Sequence, residues 1–187
     1  VRTGGAAVLQ GSIAALGSQY VLGLRATNCT TGDILADEQA QAWAPIVEFI
    51  QSQGALAGIQ LAHAGNKSST YRPWSGKGSV PAADGGWPTV GPSRTGYTGY
   101  ADPRALSTDE LPGVVAAFVA ATRRALAAGF DTIEVHAAHG YLLHQFLSPL
   151  SNDRTDEYGG DLTGRSRLLR EVVAAVRASN VNVGGNV

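Results

Sequence analysis

The sequence predicts an α/β fold in which short parallel strands alternate with helices, and three observations carry that expectation. The apolar runs are short, and Ala55 to Gln60 shows little polar alternation, as strands covered on both faces do. Between them lie amphipathic stretches of ten or more residues with cap and stop signals at their ends. All four histidines fall just after predicted strands, where parallel α/β folds place their active sites.

After an Ala/Gly-rich start, Gln19 to Leu24 reads as a buried strand. Asp37-Glu38 opens an amphipathic stretch through Trp43, Ile46, Val47 and Ile50 that Gly54 stops. Pro45 inside it implies a kink or a later helix start. Ala55 to Gln60 is the second strand. Ser107-Thr108-Asp109-Glu110 has capping-box spacing, with the N-cap open between Ser107 and Asp109 because of Pro112. Val115, Phe118, Val119, Thr122 and Leu126 then share a helical face, and Gly129 ends it. Thr132 to Val135 is the third strand, and Ser166 to Ala178 a further helix. Two connections exceed what packing requires. Ala64 to Leu106 is rich in Gly, Pro and aromatics, a pattern expected of a functional loop or lid. Ser148 to Arg165 is polar.

With 187 residues, 44% of them hydrophobic and 16% charged, the chain is expected to be one globular domain. A net charge of -1 without a basic stripe argues against nucleic acid and anionic membranes as partners. No apolar run reaches the roughly 20 residues of a membrane span, and Val1 to Gly5 lacks the layout of a secretory signal. The single cysteine, Cys29, has no intrachain partner and reads as an inert thiol, which fits a cytoplasmic location. Methionine is absent, so the sequence is expected to be part of a longer protein.

His136-Ala137-Ala138-His139 places two imidazoles three residues apart, with Gly140 favouring a turn and Tyr141 adding a phenol. Two N–H donors and a phenol suit an electron-poor substrate with a carbonyl or nitro oxygen. The imidazoles would stabilise charge on that oxygen and the phenol would deliver a proton. Two other readings stay open: histidines satisfied by local backbone, and a metal site of His136, His139 and His144. No H-E-x-x-H pattern or Cys pair accompanies the latter. Gln60 ends an apolar strand, where its amide needs partners: a heterocycle with adjacent C=O and N–H groups, or neighbouring backbone. Asp153, Arg154, Asp156 and Glu157 read as an ion-paired brace for their loop.

Gly58-Ile59-Gln60-Leu61-Ala62-His63-Ala64-Gly65 resembles the third-strand motif of the Old Yellow Enzyme family. His136-Ala137-Ala138-His139-Gly140-Tyr141-Leu142-Leu143-His144-Gln145-Phe146-Leu147-Ser148-Pro149, continuing to Gly160, resembles that family's most specific stretch, in its bacterial and fungal branch. The likeness runs from about Leu24 to Arg177. It implies an FMN enzyme on a (β/α)8 TIM barrel, of which this chain covers roughly strands 2 to 4 or 5 with their helices. It implies that NAD(P)H reduces the flavin, which passes hydride to the β-carbon of an activated alkene such as an enone. By matching position, Gln60 would bond the flavin pyrimidine edge and Ala26 would lie against its rings. His136 and His139 would bind the substrate's oxygen, and Tyr141 would donate the proton.

The sequence departs from the family at Arg25, where Glu is usual, at Asn66, where Arg is common, and at Thr163-Gly164, where Glu-Asn is common. The Gly32 to Asp37 connection is shorter than the family norm. The chain stops near a fifth strand, so it is expected to be the central part of a barrel. Its strand edges should invite self-association. A non-catalytic family member and a metal-dependent barrel hydrolase are the alternatives that remain.

Overall fold

In the computed structural model, the described residues are 10–16, 19–26, 37–72 and 74–179. Cys29 and the Val181 to Val187 tail lie outside them. The strands are β1 (Gln10–Leu16), β2 (Gln19–Ala26), β3 (Leu56–Leu61), β4 (Val90–Gly91), β5 (Arg104–Ala105) and β6 (Thr132–Val135). The helices are α1 (Asp37–Ser52), α2 (Leu111–Ala127), α3 (Leu142–Leu147), α4 (Leu162–Arg165) and α5 (Arg167–Ser179). Among the described residues, no helix is long and apolar enough to cross a membrane.

Two compact units divide these elements. The first comprises Val1–Ala62, Val115–His136 and Val172–Val187. Its sheet runs β1-β2-β3-β6. The expected parallel alternation is present, since β2 pairs parallel with β3, and β3 with β6. The Ala/Gly-rich start adds an antiparallel strand, β1, beside β2. Small residues there carried no periodic signal, so its pairing was not foreseen.

Ala40, Trp43, Val47 and Ile50 are buried at three- and four-residue spacing, so one face of α1 is apolar. The helix runs through Pro45, whose side is exposed, and ends before Gly54 at φ 76°. Trp43 meets Phe130 edge to face at 6.4 Å. Asp131 aligns the sheet: its carboxylate accepts from the Ala57 N–H at 2.7 Å and from Gln51 Nε2 at 3.0 Å. Ile59 and Leu61 on β3, and Phe118, Ala121 and Ala125 on α2, are buried.

The second unit comprises His63–Val114 and Ala137–Glu171. Here β4 and β5 form a short parallel ladder. Glu110 settles the start of the capped helix at Ser107, accepting from its N–H at 2.8 Å and its hydroxyl at 3.1 Å. The Arg104 guanidinium grips the same carboxylate through both oxygens, at 2.8 Å each. That contact, joined by the Ser107 bonds, pulls the Glu110 pKa down to about 2.

Of the expected brace, Arg154 and Asp156 form an ion pair with Arg154 as its hub, whereas Asp153 and Glu157 enter no ion pair among the described residues. Arg154 clasps Asp156 and also reaches the carbonyls of Pro92 and Leu106. Asn152 Nδ2 donates to the carbonyls of Phe146 and Tyr158, and the Ser151 hydroxyl to that of Gln145.

Candidate active site

In the first unit the candidate residues lie at the carboxyl ends of the parallel strands. Ala26 is the last residue of β2 and pairs in register with Leu61. One step back, Arg25, Gln60 and Glu134 form a lateral row across three strands. The Gln60 amide donates to Glu134 Oε1 at 2.7 Å, so its partner is a side chain of the next strand and not the backbone. This bond uses one of the amide's two N–H groups. One N–H and the amide oxygen keep their bonding capacity, a donor and an acceptor side by side. That pair is complementary to the C=O and N–H edge of a flavin pyrimidine ring. Two residues earlier on the same face, Gly23 pairs with Gly58 and Gly58 with Thr132, so two of the three strands carry no side chain in that row. The donor–acceptor pair of the Gln60 amide thus fits the edge of a flat heterocycle.

His136 follows β6 directly. Its N–H continues the ladder to the Leu61 carbonyl at 2.9 Å, and the residue is only 4% exposed. The division between the units falls immediately after it.

His139 and Tyr141 belong to the second unit, in a turn that polar contacts hold. His139 takes φ 55°, the left-handed region that residues with a Cβ rarely occupy. Its carbonyl accepts from Lys67 Nζ at 2.7 Å. The next N–H, that of Gly140, donates to His144 Nδ1 at 3.2 Å. Tyr141 is the N-cap residue of α3, its N–H bonded to the Ala138 carbonyl and its carbonyl to the Gln145 N–H. Gln145, 1% exposed, joins this turn to the segment after β3. Its Nε2 donates to the Gly140 carbonyl at 2.8 Å and its Oε1 accepts from the Asn66 N–H at 3.3 Å. Asn66, where the resemblance would place Arg, is equally buried and serves packing. It donates to the Ala101 carbonyl and accepts from the Tyr97 N–H.

His63, at the start of this segment, is held neutral. Burial lowers its pKa from 6.5 to about 4, outweighing a hydrogen bond with its own backbone. Its Nδ1 accepts from the Gly65 N–H at 3.0 Å, which requires a bare ring nitrogen. Since the folded pKa is depressed, the unfolded chain takes the proton first. The stability is therefore whole above pH 6.5 and lost as pH falls towards 4. Thermal melts across pH 7 to 4 should show this loss, and His63→Gln should flatten it. An unaltered profile in that variant would assign the loss to other groups.

Sequence reasoning proposed His136, His139, Tyr141, Ala26 and Gln60 as site residues and noted Asn66 only as a departure from the family, and it gave no role to Lys67 or Gln145. Gln145 had one legible signal, a polar residue among Leu142, Leu143, Phe146 and Leu147. Lys67 had none, because its partner is 72 residues away. Gly65 shows how tight this joint is: at φ 59°, an added Cβ would stand 2.6 Å from Gln145 Oε1. We expect Gly65→Ala to cost about 2–4 kcal/mol in a urea melt, left-handed strain plus displacement of Gln145. Gly54→Ala, at φ 76° with open space around it, isolates the strain and should cost about 1–2 kcal/mol. Equal losses in the two variants would show that Gln145 is not crowded. Among the described residues, no group of three or more His, Cys, Asp or Glu side chains is placed to hold a metal.

Three comparisons relate this arrangement to known proteins. The sequence profile of the NADH:flavin oxidoreductase / NADH oxidase family matches residues 26–184. An NADH:flavin oxidoreductase of Gibberella zeae is 45% identical over 146 residues, 75% of this chain and 35% of its own length. The 12-oxophytodienoate reductase 1 of Oryza sativa subsp. japonica is 43% identical over 148 residues, 79% of this chain and 38% of its own. A solved structure of the old yellow enzyme homologue from Zymomonas mobilis superimposes with a TM-score of 0.67 at 36% identity, covering 81% of this chain and 41% of that one. The chain thus spans well under half the length of these relatives, and its fold is part of their TIM barrel.

Proposed function

The chain belongs to the NADH:flavin oxidoreductase / NADH oxidase family, the Old Yellow Enzyme group of FMN-dependent oxidoreductases, and from that premise we propose that it supplies the substrate-polarising part of an ene-reductase site. The observation that carries this reading is the run from the end of β6 to the start of α3. In that run His136 follows a strand end directly, His139 sits in a left-handed turn and Tyr141 is a helix N-cap residue, which supports the reading. FMN, when bound, supplies the hydride that reduces the alkene, and NADH or NADPH restores it.

Gln60 would hold the flavin's pyrimidine edge with its amide, and Ala26 would leave the ring plane unobstructed at the end of β2. His136 and His139 would donate to the carbonyl or nitro oxygen of an electron-poor alkene, stabilising the charge that develops there. Tyr141 would place a proton on the carbon next to that group. The balance is one hydride to the β-carbon and one proton to the α-carbon. We place this chemistry in the cytoplasm, on small molecules.

The test is direct. Purified protein is mixed with FMN and desalted, and the bound flavin is titrated anaerobically with NADH and NADPH. Retained flavin that bleaches with a nicotinamide nucleotide and recovers its colour with an enone supports the reading. Flavin lost on desalting would instead favour a non-catalytic member of the family.

A further inference from the structure

We propose that Lys67 is a positioning residue for His139, fixing the left-handed turn from which that imidazole is presented. The proposal rests on the reading of His139 as a ligand of the substrate's oxygen. The peptide between His139 and Gly140 is held at both of its polar groups: its carbonyl by Lys67 Nζ at 2.7 Å, its N–H by His144 Nδ1 at 3.2 Å. Bonds at both of its polar groups resist rotation of this peptide plane and so support the left-handed turn that His139 adopts at φ 55° without glycine.

Lys67 is itself seated. Its ammonium lies 5.0 Å from the centre of the Tyr97 ring, within the range of a cation–π contact. The preceding residue, Asn66, accepts from the Tyr97 N–H at 3.2 Å, so the side chain before Lys67 fastens the residue beneath it. Gly140 completes the junction: at φ 72°, an added Cβ would stand 2.9 Å from Lys67 Nζ and 3.0 Å from Tyr97 Oη. Three segments far apart in sequence meet at one peptide carbonyl. A surface lysine with only a solvent role would need neither the aromatic seat nor the missing Cβ.

The whole chain, loaded with FMN, is compared with Lys67→Met, Lys67→Arg and His139→Ala. Histidine labelled with 13C at its carbonyl reports the tether by NMR, with His139→Ala identifying the resonance. The absorbance of 4-nitrophenol reports binding at the polarising site. Lys67→Met should move the His139 carbonyl resonance and weaken 4-nitrophenol about 10-fold, the scale of a hydrogen bond to a charged group. Lys67→Arg, which keeps a donor cation, should recover most of that loss. An unmoved resonance in Lys67→Met overturns the tether. Undiminished affinity in Lys67→Met, beside weakened binding in His139→Ala, overturns the positioning role alone. Binding that is absent in the parent, or that His139→Ala leaves intact, overturns the reading of His139 and the proposal with it.

Discussion

Arg154→Ala should lower the unfolding free energy by about 2–3 kcal/mol, the cost of removing a buried guanidinium that donates to two carbonyls and to the part-exposed Asp156 carboxylate. The Arg154 side chain is 8% exposed. Its Nε and one terminal nitrogen clasp the two oxygens of Asp156 at 3.0 and 2.5 Å. Its other terminal nitrogen donates to the carbonyls of Pro92 at 3.0 Å and Leu106 at 2.5 Å. The guanidinium also lies 5.8 Å from the Phe146 ring centre. Truncation takes this donor from two carbonyls, leaves the Asp156 carboxylate with only the Tyr158 N–H and the Thr108 hydroxyl, and opens a gap over an aromatic face. Arg154→Lys should recover little, because one ammonium cannot reproduce a planar fork that faces three chain segments.

A pH dependence accompanies this. The Arg154 hydrogen bonds hold the Asp156 carboxyl below the usual carboxylate range. A lowered folded pKa gives stability that is present above the ordinary aspartate pKa and lost as acid protonates the folded group. The deficit of Arg154→Ala should therefore shrink on acidification. Urea melts at pH 7 and at pH 3 would measure it, and a loss below about 1 kcal/mol at pH 7 would relegate Arg154 to the class of weak surface pairs.

The regular elements were legible because local chemistry sets them. β3 is a short apolar run, β6 alternates as Thr-Ile-Glu-Val, Trp43, Val47 and Ile50 mark the buried face of α1 although Ile46 is exposed, and Glu110 sits three residues after its cap. The Arg154–Asp156 brace was legible for the same reason, its partners being two residues apart. What escaped depends on distance along the chain. Gln145 meets Asn66 across 79 residues and Lys67 meets His139 across 72, and no periodicity encodes such pairs. α3 escaped because its six residues give fewer than two helical turns of pattern. The left-handed φ of His139 had only an indirect sign, the glycine after it. The types of the candidate catalytic residues could thus be read from the sequence, whereas the scaffold that aims them could not.

On the proposed ene-reductase reading, the largest functional effect should follow from Tyr141→Phe, assayed with FMN, NAD(P)H and an enone. Loss of a positioned proton donor slows the protonating step roughly 10²–10⁴-fold. The substitution keeps the ring, and the backbone bonds of Tyr141 to Ala138 and Gln145 do not use the hydroxyl, so the start of α3 should survive. The reductive half-reaction with NAD(P)H needs no proton from Tyr141 and should keep its rate, while the oxidative half-reaction with the alkene slows. His136→Asn and His139→Asn should behave differently. If each is a donor to the substrate's oxygen, as proposed, ligand affinity and alkene reduction should fall together, with removal of a donor by alanine costing roughly 10²–10³-fold in rate. Because His136 is buried, asparagine is preferred there to limit the cavity. The double variant should lose less than the product of the single losses, since two donors that share one oxygen act as a unit. Stopped-flow measurement of both half-reactions separates these cases. A Tyr141→Phe enzyme slowed equally in both halves would show a damaged scaffold, and one slowed in neither would move the proton donor elsewhere.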